Sequence, residues 1–205
     1  MNRFLARGKS RRTAAVDSFV FPSNVRLRFA GQHQHLSPDQ VRTVEAAARQ
    51  WFRLAARHPR AKLSMPSVVV DDLWHEMVLD TREYAAFCEA AFGRFLHHVP
   101  EQRAESADRS RHLLATFQLA CEDEGCEPDR LPLLFSIDRQ LAVDGGRYYL
   151  ADCGGRGQCH GLRGTTCLRH LTGEGRSSRF GAPGHHRTDL PPSVGGDGCG
   201  GGCGN

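Results

Sequence analysis

Apolar residues recur at helical spacing through most of the chain before Leu150, as expected for helices with one buried face. The longest run predicts a single helix from residue 68 to residue 92. Gly93 should end it, because glycine readily adopts the left-handed conformation found at helix C-termini. Residues 94–100 are then expected to turn back as a buried extended segment. The predicted buried stripe of the long helix comprises Val70, Leu73, Trp74, Met77, Thr81, Tyr84, Cys88 and Phe92.

Capping residues mark the boundaries of other predicted helices. Residues 22–31 begin with a proline and end with a glycine, which is typical of a short helix. Residues 37–40 combine a capping serine, a proline in the first turn and a glutamine three residues after the serine. They predict the start of a second helix, which Pro59 ends. Later elements are predicted at three places: a helix ending at Gly125, a helix over residues 131–141 and a strand-like segment over residues 148–150.

These elements predict a mainly α fold over residues 21–152, a compact bundle of four or five helices joined by short connections. Residues 1–20 are polar and basic and are expected to be disordered. Residues 153–205 are rich in glycine and cysteine. Because such a segment buries too little apolar surface to offset its ordering entropy, it is expected to be a disordered tail.

Composition narrows the environment in which the chain is expected to work. The net charge of +4 is small for 205 residues and does not favour nucleic acid as a partner. No apolar run approaches the ~18 residues of a membrane span. Arg7 interrupts the short apolar run Phe4-Leu5-Ala6, so the apolar segment of a secretory signal is not expected either. We therefore expect a cytoplasmic protein whose eight cysteines are reduced or bound to metal. The oligomeric state is not specified by the sequence.

His75 is the first candidate for chemistry. Asp71 lies one helical turn before it, so a carboxylate can hold one ring nitrogen, as it does for many metal-ligating or proton-transferring histidines. The alternative is a partly buried histidine without a chemical role. His98 is a second candidate ligand. On one straight helix, however, Phe92 lies about 25 Å from His75. The residues after Gly93 can return at most ~16 Å, so pairing of His98 with His75 is marginal.

A second candidate site follows the helical core. Thiolates and imidazoles are preferred ligands of tetrahedral zinc, although the spacing here matches no common zinc finger. The alternative is a reduced segment that binds no metal. His33 and His35 alternate in a way that could chelate a metal on a strand, but we expect them to lie in a solvated linker. The candidate ligands in this second site are Cys153, Cys159, Cys167 and His170.

Two stretches resemble the glycine-rich domain-containing protein-like family. They are Val70-Asp71-Asp72-Leu73-Trp74-His75, followed by Tyr84 and Cys88, and Gly93-Arg94-Phe95-Leu96-His97-His98. The chain from Leu131 to Asp152, with its Cys/Gly-rich sequel, is similar to the small bacterial branch of that family. Plant members carry a second histidine where this chain has Met77. The resemblance, over about Phe21 to Cys153, implies a helical domain and no established activity.

These observations favour a non-enzymatic helical protein that acts in metal handling or in interaction with a protein partner. The identity of the ion is left open, and zinc is one candidate. One alternative is a metal-dependent enzyme centred on His75 and Asp71. Another is a precursor whose Cys/Gly tail is modified after translation. The sequence contains no G-x-S-x-G, phosphate-binding glycine loop or H-E-x-x-H motif, and it therefore indicates no catalytic residue and no organic cofactor.

Overall fold

A computed structural model describes residues 2–98, 106–127, 130–154, 162 and 164–171. The fold is mainly helical, as predicted, and none of the described helices is long and apolar enough to cross a membrane. The described residues form α1 (Asn2–Ser18), α2 (Ser23–Gln32), α3 (Pro38–Arg57), α4 (Val68–Leu79), α5 (Thr81–Phe92), α6 (Ser106–Glu124), α7 (Leu133–Gln140), β1 (Tyr148–Leu150), β2 (Thr165–Cys167) and α8 (Leu168–Leu171).

Helix α3 lies at the centre of the bundle and packs against α1, α4, α5, α6 and α7. The predicted capping box is confirmed: the Gln40 backbone N–H donates to Ser37 Oγ, and the Ser37 backbone N–H donates to the Gln40 side chain at 2.8 Å. Two aromatic residues of α3 contact the neighbouring helices. The ring centroid of Trp51 lies 5.6 Å from that of Trp74 in α4, and the ring centroid of Phe52 lies 5.0 Å from that of Phe87 in α5. The core is therefore centred on α3.

The single helix predicted over residues 68–92 is wrong, because the chain breaks at Asp80 into α4 and α5. Asp80 has a non-helical backbone, with φ −87° and ψ 66°. Its carboxylate accepts a hydrogen bond from Asn24 Nδ2 of α2 at 2.7 Å. Thr81 begins α5 and is exposed, whereas the other seven residues of the predicted stripe are buried. Gly93 ends α5 in the left-handed region, φ +67°, as predicted.

Residues 1–20, expected to be disordered, form α1 over Asn2–Ser18 instead. Val16 is fully buried, and α1 packs against α3 and α5. Asp17 accepts a hydrogen bond from Arg53 Nε of α3 at 2.5 Å. The ring of Phe19, just after the helix, lies 4.3 Å from that of Phe87. The basic residues led to a prediction of disorder, although the few apolar side chains of this segment pack into the core.

Two buried carboxylates attach α2 to its neighbours. Glu45 of α3 is 3% exposed and accepts from Arg26 Nε at 2.5 Å, and Glu76 of α4 is 4% exposed and accepts from Arg28 Nε at 2.5 Å. Gln32 Nε2 also donates to Glu76, at 2.7 Å. Because each carboxylate has charged partners, its burial is compensated. These contacts set the position of α2 beside α4.

Ordered structure continues beyond the predicted boundary between residues 152 and 153. Strands β1 and β2 pair in parallel, with Leu150 opposite Cys167. Leu168 of α8 is fully buried in the main core. Disorder was therefore wrongly predicted for residues 164–171. The predicted disorder and modification of residues 172–205 concern a segment outside the described residues.

Candidate metal centre

A buried carboxylate holds the first turn of α4. Asp138 of α7 is 1% exposed and accepts hydrogen bonds from Ser67 Oγ at 2.6 Å and from the Val68 backbone N–H at 2.8 Å. Ser67 Oγ also accepts from the Val70 backbone N–H, at 3.2 Å, and so caps the helix. A negative charge at this end complements the helix dipole. The first turn of α4, which also bears Asp71, is therefore firmly placed.

Asp71 and His75 lie on one face of α4, as their four-residue spacing predicts. His75 Nδ1 is 3.8 Å from Asp71 Oδ2, which is too long for a hydrogen bond but close enough for both groups to reach one ion. The side chain of His75 is 50% exposed and that of Asp71 is 26% exposed. Both side chains of this pair are therefore accessible to solvent.

His98 reaches the same place by a reversal of the chain after α5. Gly93 turns the backbone, and the Tyr84 hydroxyl then donates to the Leu96 carbonyl at 2.6 Å. The Leu96 backbone N–H donates to Cys88 Sγ at 3.5 Å. These bonds hold the segment along α5. This segment is less buried than predicted: Phe95 is 40% exposed, and the Leu96 side chain is only partly buried where it packs against the core.

The three side chains meet in one cluster, which we call the Asp71 cluster: Asp71, His75 and His98. His98 Nε2 lies 2.8 Å from Asp71 Oδ1, and the centroids of the two imidazole rings are 4.2 Å apart. One potential ligand atom from each residue lies within 4.8 Å of the others. His98 is 12% exposed and half-exposed His75 forms the outer side. The cluster therefore has its more buried ligand, His98, on the inner side and opens to solvent at His75.

The predicted distance between His75 and His98 was too long because it assumed one straight helix. With the break at Asp80, α5 folds back to pack against α4. The segment after Gly93 therefore starts much nearer to His75 than the length of a 25-residue helix implied. The ring of His98 also lies 4.6 Å from that of Trp74, which joins the cluster to the core.

The sequence missed His33 as a neighbour of this site. His33 ends α2, its side chain is 12% exposed, and its Nε2 lies 3.2 Å from Asp72 Oδ2. The pKa of Asp72 is raised, mainly by burial and further by the Asp71 carboxylate, while His33 and His75 oppose the rise. Asp72 therefore connects His33 electrostatically to the Asp71 cluster. The alternating His33 and His35 were a signal, but they were assigned to a solvated linker.

The second predicted site is also brought together in part. Cys153 follows β1, Cys167 ends β2 and His170 lies in α8. Cys153 Sγ is 3.7 Å from His170 Nε2, and one ligand atom from each of the three residues lies within 4.8 Å of the others. Cys159, the fourth predicted ligand, lies outside the described residues. The two groups share no residue, so the predicted ligands divide between two separate clusters.

The donor atoms of the Asp71 cluster suit a divalent transition metal ion. Imidazole nitrogen and carboxylate oxygen bind zinc and its neighbours in the first transition row. Three protein ligands leave a coordination position for water or another molecule, as in many catalytic and exchangeable sites.

A family model named UCP032817-like matches residues 11–171, which is most of the chain. No curated protein and no solved structure matches the chain. The resemblance to the glycine-rich domain-containing protein-like family is wrong, because the matching model belongs to a different family. The matched range begins inside α1 and ends with α8, so it includes both clusters. The chain therefore belongs to the UCP032817-like family.

Proposed function

We propose that this chain is a metal-handling protein that binds a zinc-like divalent ion through Asp71, His75 and His98. The observation that carries the proposal is the meeting of three suitable ligand atoms within 4.8 Å, from two segments separated by a whole helix. A hydrogen bond between His98 and Asp71 would by itself fasten the chain after α5. It gives no role to His75, whose ring lies 4.2 Å from that of His98 while half of its side chain faces solvent.

Reversible binding, rather than permanent retention, agrees with the exposure of the ligands. Structural zinc sites are usually closed by four ligands, whereas a site with three protein ligands keeps a position through which an ion can be exchanged. Here the outermost ligand, His75, is the most exposed of the three. The inner part is fixed by the hydrogen bonds that hold α4 and Leu96. A rigid inner side and an open outer side favour uptake and release of an ion.

The first experiment is a titration of chelator-treated full-length protein with Co²⁺, followed by tryptophan fluorescence. Because Trp74 lies against His98, a paramagnetic ion at this site should quench its emission. His75→Ala removes one of three ligands and should weaken binding at least about tenfold, or ~1.4 kcal/mol. His97→Ala is the matched control, because His97 is exposed, adjacent to His98 and outside the cluster. No saturable quenching in the wild type, or equal weakening in both variants, would refute the proposal.

A metal-dependent hydrolase is the second candidate, and the open coordination position favours it. Zinc with three protein ligands can bind a water molecule and lower its pKa to about 7, which generates hydroxide near neutral pH. The zinc-loaded protein would then cleave an activated ester, and both chelation and His75→Ala would abolish the activity. Fast transfer of zinc to a competing chelator without ester cleavage would instead support metal handling.

A further inference from the structure

The cluster formed by Cys153, Cys167 and His170 has the composition of a different kind of metal site. Cys153 is 4% exposed and Cys167 is 6% exposed. Together with Leu150 they form a small buried group separate from the main core. Two soft thiolates and one imidazole favour zinc over the hard cations that carboxylates prefer. Burial of both sulfurs contrasts with the exposed outer side of the Asp71 cluster.

The elements that carry these ligands are too small to be stable without assistance. Strands β1 and β2 have three residues each, and a two-stranded sheet is marginal in water even when longer. They run parallel, and a tight two-residue hairpin cannot join parallel strands. Helix α8 has four residues, about one turn, which does not form by itself. A cross-link among the three elements would compensate for these deficits.

Neighbouring contacts hold the ligands toward one another. Asp152, just before Cys153, forms an ion pair with Arg169, just before His170. The Asp152 carboxylate also accepts a hydrogen bond from the Gly154 backbone N–H at 2.8 Å. These contacts join the segment after β1 to α8 at the residues next to two of the ligands. Outer contacts that orient ligands in this way are typical of metal sites.

We propose that Cys153, Cys167 and His170 bind a structural zinc ion that joins the segment after β1, strand β2 and helix α8 to one another. On binding, the ion replaces the thiol protons of the two cysteines, which leave to solvent, and it is bound by one ring nitrogen of His170. The remaining position is taken by water or by a further ligand. This site stands independently of the function proposed for the Asp71 cluster.

Cobalt spectroscopy on the full-length protein tests this site separately from the other. Thiolate ligands give Co²⁺ an intense near-ultraviolet charge-transfer band, which imidazole and carboxylate ligands do not. The wild type and His75→Ala should both show the band. Cys167→Ser keeps only the Cys153 thiolate, so its band should be much weaker while Co²⁺ still quenches Trp74. Cys126→Ser is the matched control: Cys126 lies outside the cluster, so the band of this variant should equal that of the wild type. Absence of the band in the wild type, or a band of full intensity in Cys167→Ser, would overturn the proposal.

Limited trypsin digestion tests the structural role of this site. At a zinc concentration about 100 times the Kd, the opened form should be ~100-fold rarer, so cleavage after Arg169 should slow by a similar factor. Chelation should restore fast cleavage in the wild type, and His170→Ala should be cleaved fast with or without zinc. Zinc-independent cleavage in the wild type would contradict the role. So would an intact mass lower by two thiol hydrogens, with a peptide showing Cys153 joined to Cys167, because the pair would then be a disulfide.

Discussion

Asp138→Ala tests how α4 is held and has the largest expected effect on stability. The buried carboxylate accepts hydrogen bonds from Ser67 Oγ at 2.6 Å and from the backbone N–H groups of Val68 at 2.8 Å, Val69 at 3.4 Å and Arg147 at 2.9 Å. It therefore joins α7 to the start of α4 and to the chain that leads into β1. Alanine removes the acceptor and leaves several of these donors buried without a partner.

The magnitude follows from the number of bonds and their burial. A hydrogen bond to a charged group contributes about 1.5–3 kcal/mol net. The four bonds share one carboxylate and are not additive, so we expect a loss of about 4 kcal/mol, as when one partner of a buried ion pair is removed. This is a large part of the ~5–15 kcal/mol that stabilises a typical domain. The midpoint of thermal unfolding should fall by about 12 °C for a chain of this size.

Urea unfolding in the presence of a chelator, followed by tryptophan fluorescence and far-ultraviolet circular dichroism, measures this loss without a contribution from bound metal. Asp144→Ala is the matched control, because Asp144 is exposed in the turn after α7. It should change the free energy of unfolding by less than about 0.5 kcal/mol. A loss below ~1 kcal/mol for Asp138→Ala would refute the view that this carboxylate holds α4 in place.

Three other substitutions test separate contacts by the same unfolding assay. Glu76→Ala removes the buried partner of Arg28, which is 40% exposed, and should cost about 2 kcal/mol. Tyr84→Phe leaves Trp74 Nε1 without its acceptor at 2.8 Å and should cost about 2 kcal/mol. Burial raises the pKa of Tyr84 in the folded state. Above about pH 10 the unfolded state therefore ionises first, and the wild type should lose stability there. Tyr84→Phe should lose less stability over the same pH range. Gly93→Ala imposes a side chain at φ +67° and should cost about 1 kcal/mol.

Each of these variants has a control in the same chain. Glu89→Ala replaces an exposed glutamate of α5, and Tyr148→Phe replaces a tyrosine outside the Trp74 contact; both should have small effects. Gly31→Ala replaces a glycine inside α2 with open space around it, so it should stabilise the protein by about 0.5–1 kcal/mol. If the two glycine variants shifted stability in the same direction, the assignment of strain to position 93 would be wrong.

Local signals were sufficient wherever an element depends on residues close to it in the chain. The capping box at Ser37 and Gln40 correctly marked the start of α3, and Gly93 correctly marked the end of α5. Four residues suffice to build each of these caps, so their chemistry can be read directly. The helical periodicity likewise identified most of the buried face of α4 and α5. The mainly α fold follows from such local patterns.

The break at Asp80 depended on a distant partner. Aspartate followed by threonine is a common start of a helix, but the apolar rhythm continues through this pair and concealed it. What engages the Asp80 carboxylate is Asn24, on a helix 56 residues earlier in the chain. The same limit applied to α1, whose basic composition suggested disorder although Val16 is buried against α3 and α5.

The sequence by itself determined the helical character of most of the chain, the caps at Ser37 and Gly93 and the supply of ligand residues, because these depend on neighbours along the chain. Only the tertiary structure decided which ligands meet. The reversal at Asp80 brings His98 to within 2.8 Å of Asp71, and the parallel pairing of β1 with β2 brings Cys167 near Cys153. Both encounters depend on how whole elements pack, and spacing along the chain carries no measure of that distance.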